Sequence, residues 1–331
     1  MQKQILYSAT KPTGKLTLGN YIGAIKNWKI MQEDYNSIFC VADLHSLTIN
    51  IDREELKENI YNQIATFLAF GLDPEKSIIY CQSHVKEHAE LAWIMNCTTY
   101  FGEASRMTQF KDAKAKNKNI SVGLFTYPML MAADILLYDA DIVPVGIDQM
   151  QHVELCRDIA ERFNSKYGET FTIPKGIIPK TGAKIMGLLD PTKKMAKSGD
   201  NDNDVIYIED DDETIIRKFK RAVTDSLNRI KYCDEQPGVS NLLSIYASMK
   251  QISIEETEKQ FEGCGYGDLK IKTAQAVIEV LSPVRKKLQE LKNNRAYLEE
   301  IMKTGAQKAA YIARKKLGKV YKKVGLVIPK N

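Results

Sequence analysis

The stretch that decides the fold is ILYSATKPTGKLTLGNYIG, Ile5–Gly23. Ile5–Ser8 is a short β-favouring run. Gly14 and Pro12 then interrupt it, and from Leu18 to Glu33 apolar residues recur at helical spacing. The order strand, turn, helix follows. In an open α/β sheet, ligands sit just beyond the strand ends, where the free N–H groups of a helix start suit an anion such as a triphosphate. Gly19 carries no side chain on the first helical turn, so a flat group can pack against the backbone there. Read alone, the segment is equally an ordinary glycine-bearing turn. It holds neither GxGxxG nor GxxxxGK[ST], which argues against a dinucleotide oxidoreductase and a P-loop ATPase.

Outward from it, strands alternate with helices. Ser37–Ala42 reads as a strand, Arg53–Phe70 as a helix and Ile78–Gln82 as a strand. Helical stretches run to Tyr100 and beyond, then a strand at Ile142–Val145 and a helix from about Asp148 to Asn164. This alternation implies an α/β fold, a parallel sheet with crossover helices. After about Lys184 the texture changes. A Gly/Lys/Asp-rich loop, Asp190–Asp204, precedes helical patterns at Asp212–Ala222, Val239–Lys250, Ile254–Phe261, Leu269–Asn293 and Arg295–Val320. The second half is therefore α-helical. The acidic run Glu209–Glu213 reads as an electrostatic cap on a helix start, not as a metal site. There is no internal repeat.

Bulk properties bound the class. The 331 residues, 44% hydrophobic and 27% charged, make a soluble globular composition large enough for one large or two ordinary domains. No apolar run approaches the ~20 residues of a membrane span, and Met1–Thr10 has no signal-peptide pattern. The six cysteines are scattered, with no CxxC pair, which favours reduced thiols in the cytoplasm. A net charge of +5 permits a nucleic-acid partner without demanding one. From Arg285 onward Lys and Arg are dense: Lys286, Lys287, Lys292, Arg295, Lys303, Lys308, Arg314, Lys315, Lys316, Lys319, Lys322 and Lys323. Each alone reads as a solvated helix residue, and the tract is a permissive clue for RNA.

Two further segments carry chemistry. In DPTKKMAKSGD, Asp190–Asp200, lysines in a loop between domains can close over a polyphosphate. Lys194 and Lys197 would match charge building up on a pentavalent phosphorus; the bland reading is a solvated basic linker. In PMLMAADILL, Pro128–Leu137, Asp134 interrupts an apolar helix. Either it lies on that helix's polar face, or it is buried to accept a ligand's donor, since an unpartnered buried carboxylate is costly.

Together, Thr17-Leu18-Gly19-Asn20 and Lys194-Met195-Ala196-Lys197-Ser198 resemble the HIGH-type signature and the KMSKS loop of class I aminoacyl-tRNA synthetases, in the right order. The phrases GNYIGA (Gly19–Ala24), RMTQFK (Arg106–Lys111), YPMLMAADILLY (Tyr127–Tyr138), VPVGIDQMQHVELCR (Val143–Arg157), ERFN (Glu161–Asn164) and AVTDS (Ala222–Ser226) sharpen the resemblance to bacterial-type tryptophanyl-tRNA synthetases. It covers nearly the whole chain, with the last ~50 residues matched by helical character only.

That resemblance implies a Rossmann-like catalytic domain over 1–189 holding ATP and tryptophan, and a KMSKS-type loop over 190–204. It also implies an α-helical anticodon-binding domain over 205–293, and C-terminal helices over 294–331 that pack back on the catalytic domain. The reaction would be activation of L-tryptophan by Mg-ATP, giving tryptophanyl-adenylate and pyrophosphate, then transfer to the 3′ end of tRNA(Trp). Asp134 would accept the indole N–H, a donor only, and so reject phenylalanine. Tyr7, Ala9, His45, Met131, Val143 and Val145 would wall the indole, and Tyr127 and Gln149 would hold the ammonium group. Lys11, Pro12, Thr13, Gly19, Asn20, Gly146, Ile147, Asp148, Ile185, Lys194, Met195, Ala196, Lys197 and Ser198 would bind ATP. Lys194, Lys197, Ser198, Thr17 and Asn20 form the expected catalytic set, and Gln109 steadies the pyrophosphate side. Mg²⁺ would act through ATP's phosphates, with no protein carboxylate cage. His84, His88 and His152 have bland alternatives as surface or packing histidines and are assigned no catalysis, and Trp28 and Trp93 read as packing residues. A homodimer is implied.

Three positions depart from the family pattern: Lys11 stands where Gln is common, Ala196 at the KMSKS serine, and Ala113 at the second lysine of a QFKxK loop. They are expected to tune ATP affinity and leave activity intact. The rival readings are a tyrosyl-tRNA synthetase, a free-standing nucleotidyltransferase of the same superfamily and a synthetase-like RNA-binding regulatory paralogue. The pocket phrases, the long helical half and the intact Gly19, Asp134, Lys194 and Lys197 count against these in turn.

Overall fold

The apolar runs of the first half pair side by side. In the computed structural model, which describes residues 3–115, 119–178, 184–195 and 201–327 and Asp148 by its backbone only, they are β1 (Ile5–Thr10), β2 (Asn36–Val41), β3 (Ile78–Cys81), β4 (Ile142–Pro144) and β5 (Lys175–Ile177). All pairs are parallel, in the order β3-β2-β1-β4-β5. Register runs Leu6 to Ser37 and to Ile142, and Ile38 to Ile78. Successive strand residues point to opposite faces. Tyr7, Ile38, Cys40 and Tyr80 join one core, while Leu6, Phe39, Val41 and Ile79 join another with Trp28 and Phe67. Burial on both faces is why these strands read as unbroken apolar runs.

The strand order reverses beside β1, between β2 and β4. This switch point opens a crevice at the strand C-termini, and the loop leaving β1 lies there. The helix expected over Leu18–Glu33 is split into α-helix at Leu18–Asn20, a π-helical turn at Tyr21–Ile25, and α-helix at Lys26–Asp34. The extra residue of the π turn re-phases the apolar face. Leu18, Ile22 and Ile25 pack into a third core with Val239, Leu242 and Leu269 of the helical half, whereas Trp28 packs under the sheet. Such turns occur often at functional sites.

The second half is helical as read, with helices at Asp212–Lys220, Pro237–Lys250, Ile254–Gln260, Tyr266–Lys292 and Arg295–Val324. Asp211 caps the first of these, accepting from the Thr214 backbone, and Asp212 and Glu213 fill its first turn. Arg295–Val324 packs back across β3, so closely that a Cβ on Gly305 would sit 1.8 Å from the Ile79 carbonyl oxygen. Several cations of the basic tract are already paired with acidic groups of this chain. Lys316 is buried on Asp139 (2.5 Å) and the Thr170 carbonyl (2.8 Å), and Lys292, Arg295 and Arg314 pair with Glu209, Glu58 and Glu87. Among the described residues, no helix is long and apolar enough to cross a membrane.

Candidate active site

At the β1 exit, Thr17 and Asn20 cap each other. The Thr17 backbone N–H donates to Asn20 Oδ1 (3.0 Å), and the Asn20 N–H donates to Thr17 Oγ1 (3.2 Å). This reciprocal cap fixes where the helix begins. Asn20 then has its amide nitrogen to offer a ligand, while Thr17, wholly buried, acts through the cap.

The two signature segments, far apart in sequence, meet here. A Cβ on Gly19 would lie 3.6 Å from the Met195 Cβ and carbonyl oxygen. Leu18 N–H donates to the Ile206 carbonyl (2.8 Å), and Ile208 N–H to that of Leu16 (3.0 Å). Thr17 and Tyr207 form an antiparallel bridge, as do Met186 and Lys194. Met195 N–H donates to Ile185 (2.9 Å), and both side chains are buried. Gly19, Ile185 and Met195, expected at ATP, therefore share one site, with Lys194 exposed at its rim. Lys11 is exposed but crowded by protein, and that desolvation lowers its ammonium from the usual value. Gly146 and Ile147 sit exposed beyond β4, where Ile147–Gln149 forms one 3₁₀ turn. Ala196, Lys197 and Ser198 lie outside the described residues, as does the side chain of Asp148.

Across β1 from this loop, Asp134 sits in the helix Val122–Leu136 and is 1% exposed. Of the two readings left open by the sequence, the polar face is excluded. Three protein donors meet it: His45 Nε2 at 2.9 Å from Oδ2, and Gln82 Nε2 (2.7 Å) and His88 Nδ1 (2.6 Å) from Oδ1. Burial pushes its carboxyl pKa up, but His88 and His45 outweigh burial and hold it well below the usual carboxylate range. A carboxylate accepts about four hydrogen bonds, so among the described residues one acceptor position is left open, on Oδ2.

Of the expected indole walls, His45 bonds to Asp134, and Tyr7, Met131, Val143 and Val145 belong to one apolar core. His45 is presented by the short helix Asp43–Ser46 after β2, and its ring meets Tyr127 edge-on at 6.1 Å. Tyr7 of β1 stacks on Tyr138 at 5.5 Å; burial, then Cys40 and Asp134, raise its phenol pKa. Val143 is buried in the same core, with Met131 and Val145 half-buried against it. Ala9 is exposed near the end of β1. The Tyr127 hydroxyl pairs with His152 Nε2, and burial pushes its pKa well up.

The sequence left His88 without a role. It is no inert packing residue: wholly buried, it donates to Asp134 and faces the Tyr80 and Tyr138 hydroxyls, each 2.9 Å from Nε2. The signal was present in the spacing, since His88, Leu91, Ala92 and Met95 share one buried face of the helix Glu87–Thr98. A cavity of about 1160 Å³ lies elsewhere, between the helices Arg53–Ala69 and Arg295–Val324. Convergence of buried polar groups marks the chemistry better than that volume does. Among the described residues, no group of three or more His, Cys, Asp or Glu is placed to hold a metal ion.

The profile of the family described as tRNA synthetases class I (W and Y) matches residues 1–282. The chain is 50% identical to the tryptophan–tRNA ligase of Clostridium acetobutylicum over 331 residues, covering 99% of each. The crystal structure of tryptophanyl-tRNA synthetase from Mycoplasma pneumoniae superposes with a TM-score of 0.91 at 37% identity, covering 98% of this chain and 99% of that one. The Campylobacter jejuni enzyme complexed with ADP and tryptophan superposes with a TM-score of 0.83 at 38% identity, over 98% of this chain and 100% of that one.

Proposed function

The chain belongs to the tryptophan–tRNA ligases among the class I tRNA synthetases, and on that premise we propose how its residues carry out the reaction. The tryptophan carboxylate attacks the α-phosphorus of Mg-ATP and pyrophosphate leaves. A ribose hydroxyl at the 3′ end of tRNA(Trp) then attacks the acyl carbonyl and AMP leaves. The first nucleophile is already an anion, so no general base is needed, and catalysis is positioning plus charge stabilisation.

The observation that carries the residue assignment is Asp134, a buried carboxylate with one acceptor position left beside apolar walls. It accepts the indole N–H, while Tyr7, Ala9, His45, Met131, Val143 and Val145 enclose the ring and Tyr127 and Gln149 hold the ammonium group. The adenine lies against the Gly19 backbone. Pro12, Thr13, Gly146, Ile147, Asp148, Ile185 and Met195 frame the nucleotide, and the Asn20 amide, Lys11, Lys194 and Lys197 face the phosphates, with Ala196 and Ser198 in the closing loop. Mg²⁺ enters with ATP as substrate. Residues 205–293 read the anticodon, and 294–331 brace the catalytic domain. Trp93 and Tyr100, 70% and 65% exposed, line one surface recess, and exposed apolar groups of this kind mark an interface, here with a second copy in a cytoplasmic homodimer.

Charging tests the reading. tRNA(Trp) is expected to accept tryptophan in the presence of ATP, and tRNA(Tyr) to accept neither tryptophan nor tyrosine. Tyrosine transferred to tRNA(Tyr) would favour the tyrosyl rival.

A further inference from the structure

We propose that His88 is a specificity-determining positioning residue: with Gln82 it saturates Oδ1 of Asp134, so that Oδ2 alone is open to an incoming N–H. The inference rests on the reading of Asp134 as the indole acceptor.

The proton between His88 and Asp134 has one consistent place. A carboxylate only accepts, so the His88 nitrogen 2.6 Å from Oδ1 carries a proton. Its other nitrogen faces Tyr80 and Tyr138, whose hydroxyls are 2.8 Å apart. One tyrosine hydroxyl donates to His88 Nε2, the other donates to that hydroxyl's oxygen, and His88 Nδ1–H donates to Asp134. All four residues are at most 1% exposed, so the chain is shielded from water. In such surroundings hydrogen bonds are strong and unpaired groups are expensive.

Gln82 supplies the second donor to Oδ1. Its amide orientation follows from the carboxylate, which needs Nε2 and not Oε1. The consequence is that Gln82 Oε1 is buried without a hydrogen-bond partner among the described residues. Leaving a buried carbonyl unmatched is unfavourable, which indicates that the donor to Asp134 is what this orientation is kept for. His45 takes one position on Oδ2 (2.9 Å). Two donors on one oxygen and one on the other leave a single vacant acceptor on a carboxylate that cannot turn. A ligand lacking an N–H leaves that position unmatched, and the rejection is only as strong as the carboxylate is immobile.

The test compares tryptophan with 3-benzothienylalanine, in which sulfur replaces the indole N–H, in ATP–pyrophosphate exchange. Wild type is expected to prefer tryptophan by about 100-fold or more in kcat/KM. His88→Leu, which removes the donor, is expected to lower that ratio by about 10-fold or more, with KM for ATP within about twofold of wild type. His88→Asn, whose amide N–H can replace the Nδ1 donor, is expected to restore most of the ratio. A merely structural role would shift both amino acids and ATP together and leave the ratio alone. Should His88→Leu fail to fold, Gln82→Met removes the other Oδ1 donor and is read in the same way. Discrimination that survives intact in the folded variants overturns this inference alone. Equal use of both amino acids by wild type overturns the Asp134 reading and this inference with it.

Discussion

The two sides of the crevice are built differently. On the amino-acid side, Asp134, His88, Tyr80 and Tyr138 are buried and interlocked by hydrogen bonds of 2.6–2.9 Å. On the side proposed for the nucleotide, Gly19 packs close to Met195, while Lys11 and Lys194 stand exposed. Selectivity is placed where an unmatched polar group is expensive. Charge stabilisation is placed on side chains that can move onto a developing charge. Damage to the first side should therefore cost recognition and stability together, and damage to the second should cost rate or ATP affinity and leave stability and tryptophan recognition alone.

The largest effect expected is that of Asp134→Asn. It removes the charge that His45 and His88 face and turns an N–H₂ toward existing donors. We expect tryptophan-dependent kcat/KM to fall by about a thousandfold and urea unfolding to show a loss of about 3–5 kcal/mol. A variant of wild-type stability that still prefers tryptophan would erase the contrast between the two sides. Next comes Lys194→Ala, expected to lower kcat by about 100-fold with KM for tryptophan and the urea midpoint unchanged. A large rise in the tryptophan KM would show the sides to be coupled. Gly19→Ala is milder. Its Cβ meets only ordinary contacts at 3.5–3.6 Å, so the protein folds, but the methyl intrudes where the nucleotide packs. KM for ATP is expected to rise about 10-fold.

The contrast also explains what the sequence disclosed. β1 to β4 were legible because strands buried on both faces are apolar throughout, as IFCV at Ile38–Val41 shows. β5 was not. Lys175–Ile177 is three residues at the sheet edge, paired only with β4 and carrying no apolar pattern. The π turn at Tyr21–Ile25 was hidden because it changes phase without changing composition. Asp134 stood out as one charge in an apolar helix, and Gly19 and the lysine loop as motifs. Spacing marked His88 as buried but not its partner, and Gln82 and the tyrosine pair were silent, since their meaning lies in who faces whom across the sheet. Lys316 was hidden in the same way: in a basic tract it looks solvated, and only its place beside Ala313, Leu317 and Val320 on the buried face betrays it.

Smaller effects sharpen the comparison. The folded-state pKa of Asp134 lies below its unfolded value. Stability from its ionised form is thus fully present above about pH 4 and is lost only as pH falls through the lower, folded value. Tryptophan affinity measured by equilibrium dialysis is expected to change less than about threefold between pH 8 and pH 5 on account of this group. Smallest of all, Ala196→Ser and Lys11→Gln, which restore the family's usual residues, are expected to shift KM for ATP by less than about threefold and leave tryptophan selectivity unchanged.

The most direct measurement is ATP–pyrophosphate exchange by the wild-type protein with tryptophan, tyrosine and phenylalanine supplied one at a time. Exchange that depends on tryptophan, and is weaker by about four orders of magnitude with phenylalanine, is the expected result. Exchange supported equally by tyrosine or phenylalanine, or absent with all three, would contradict the account.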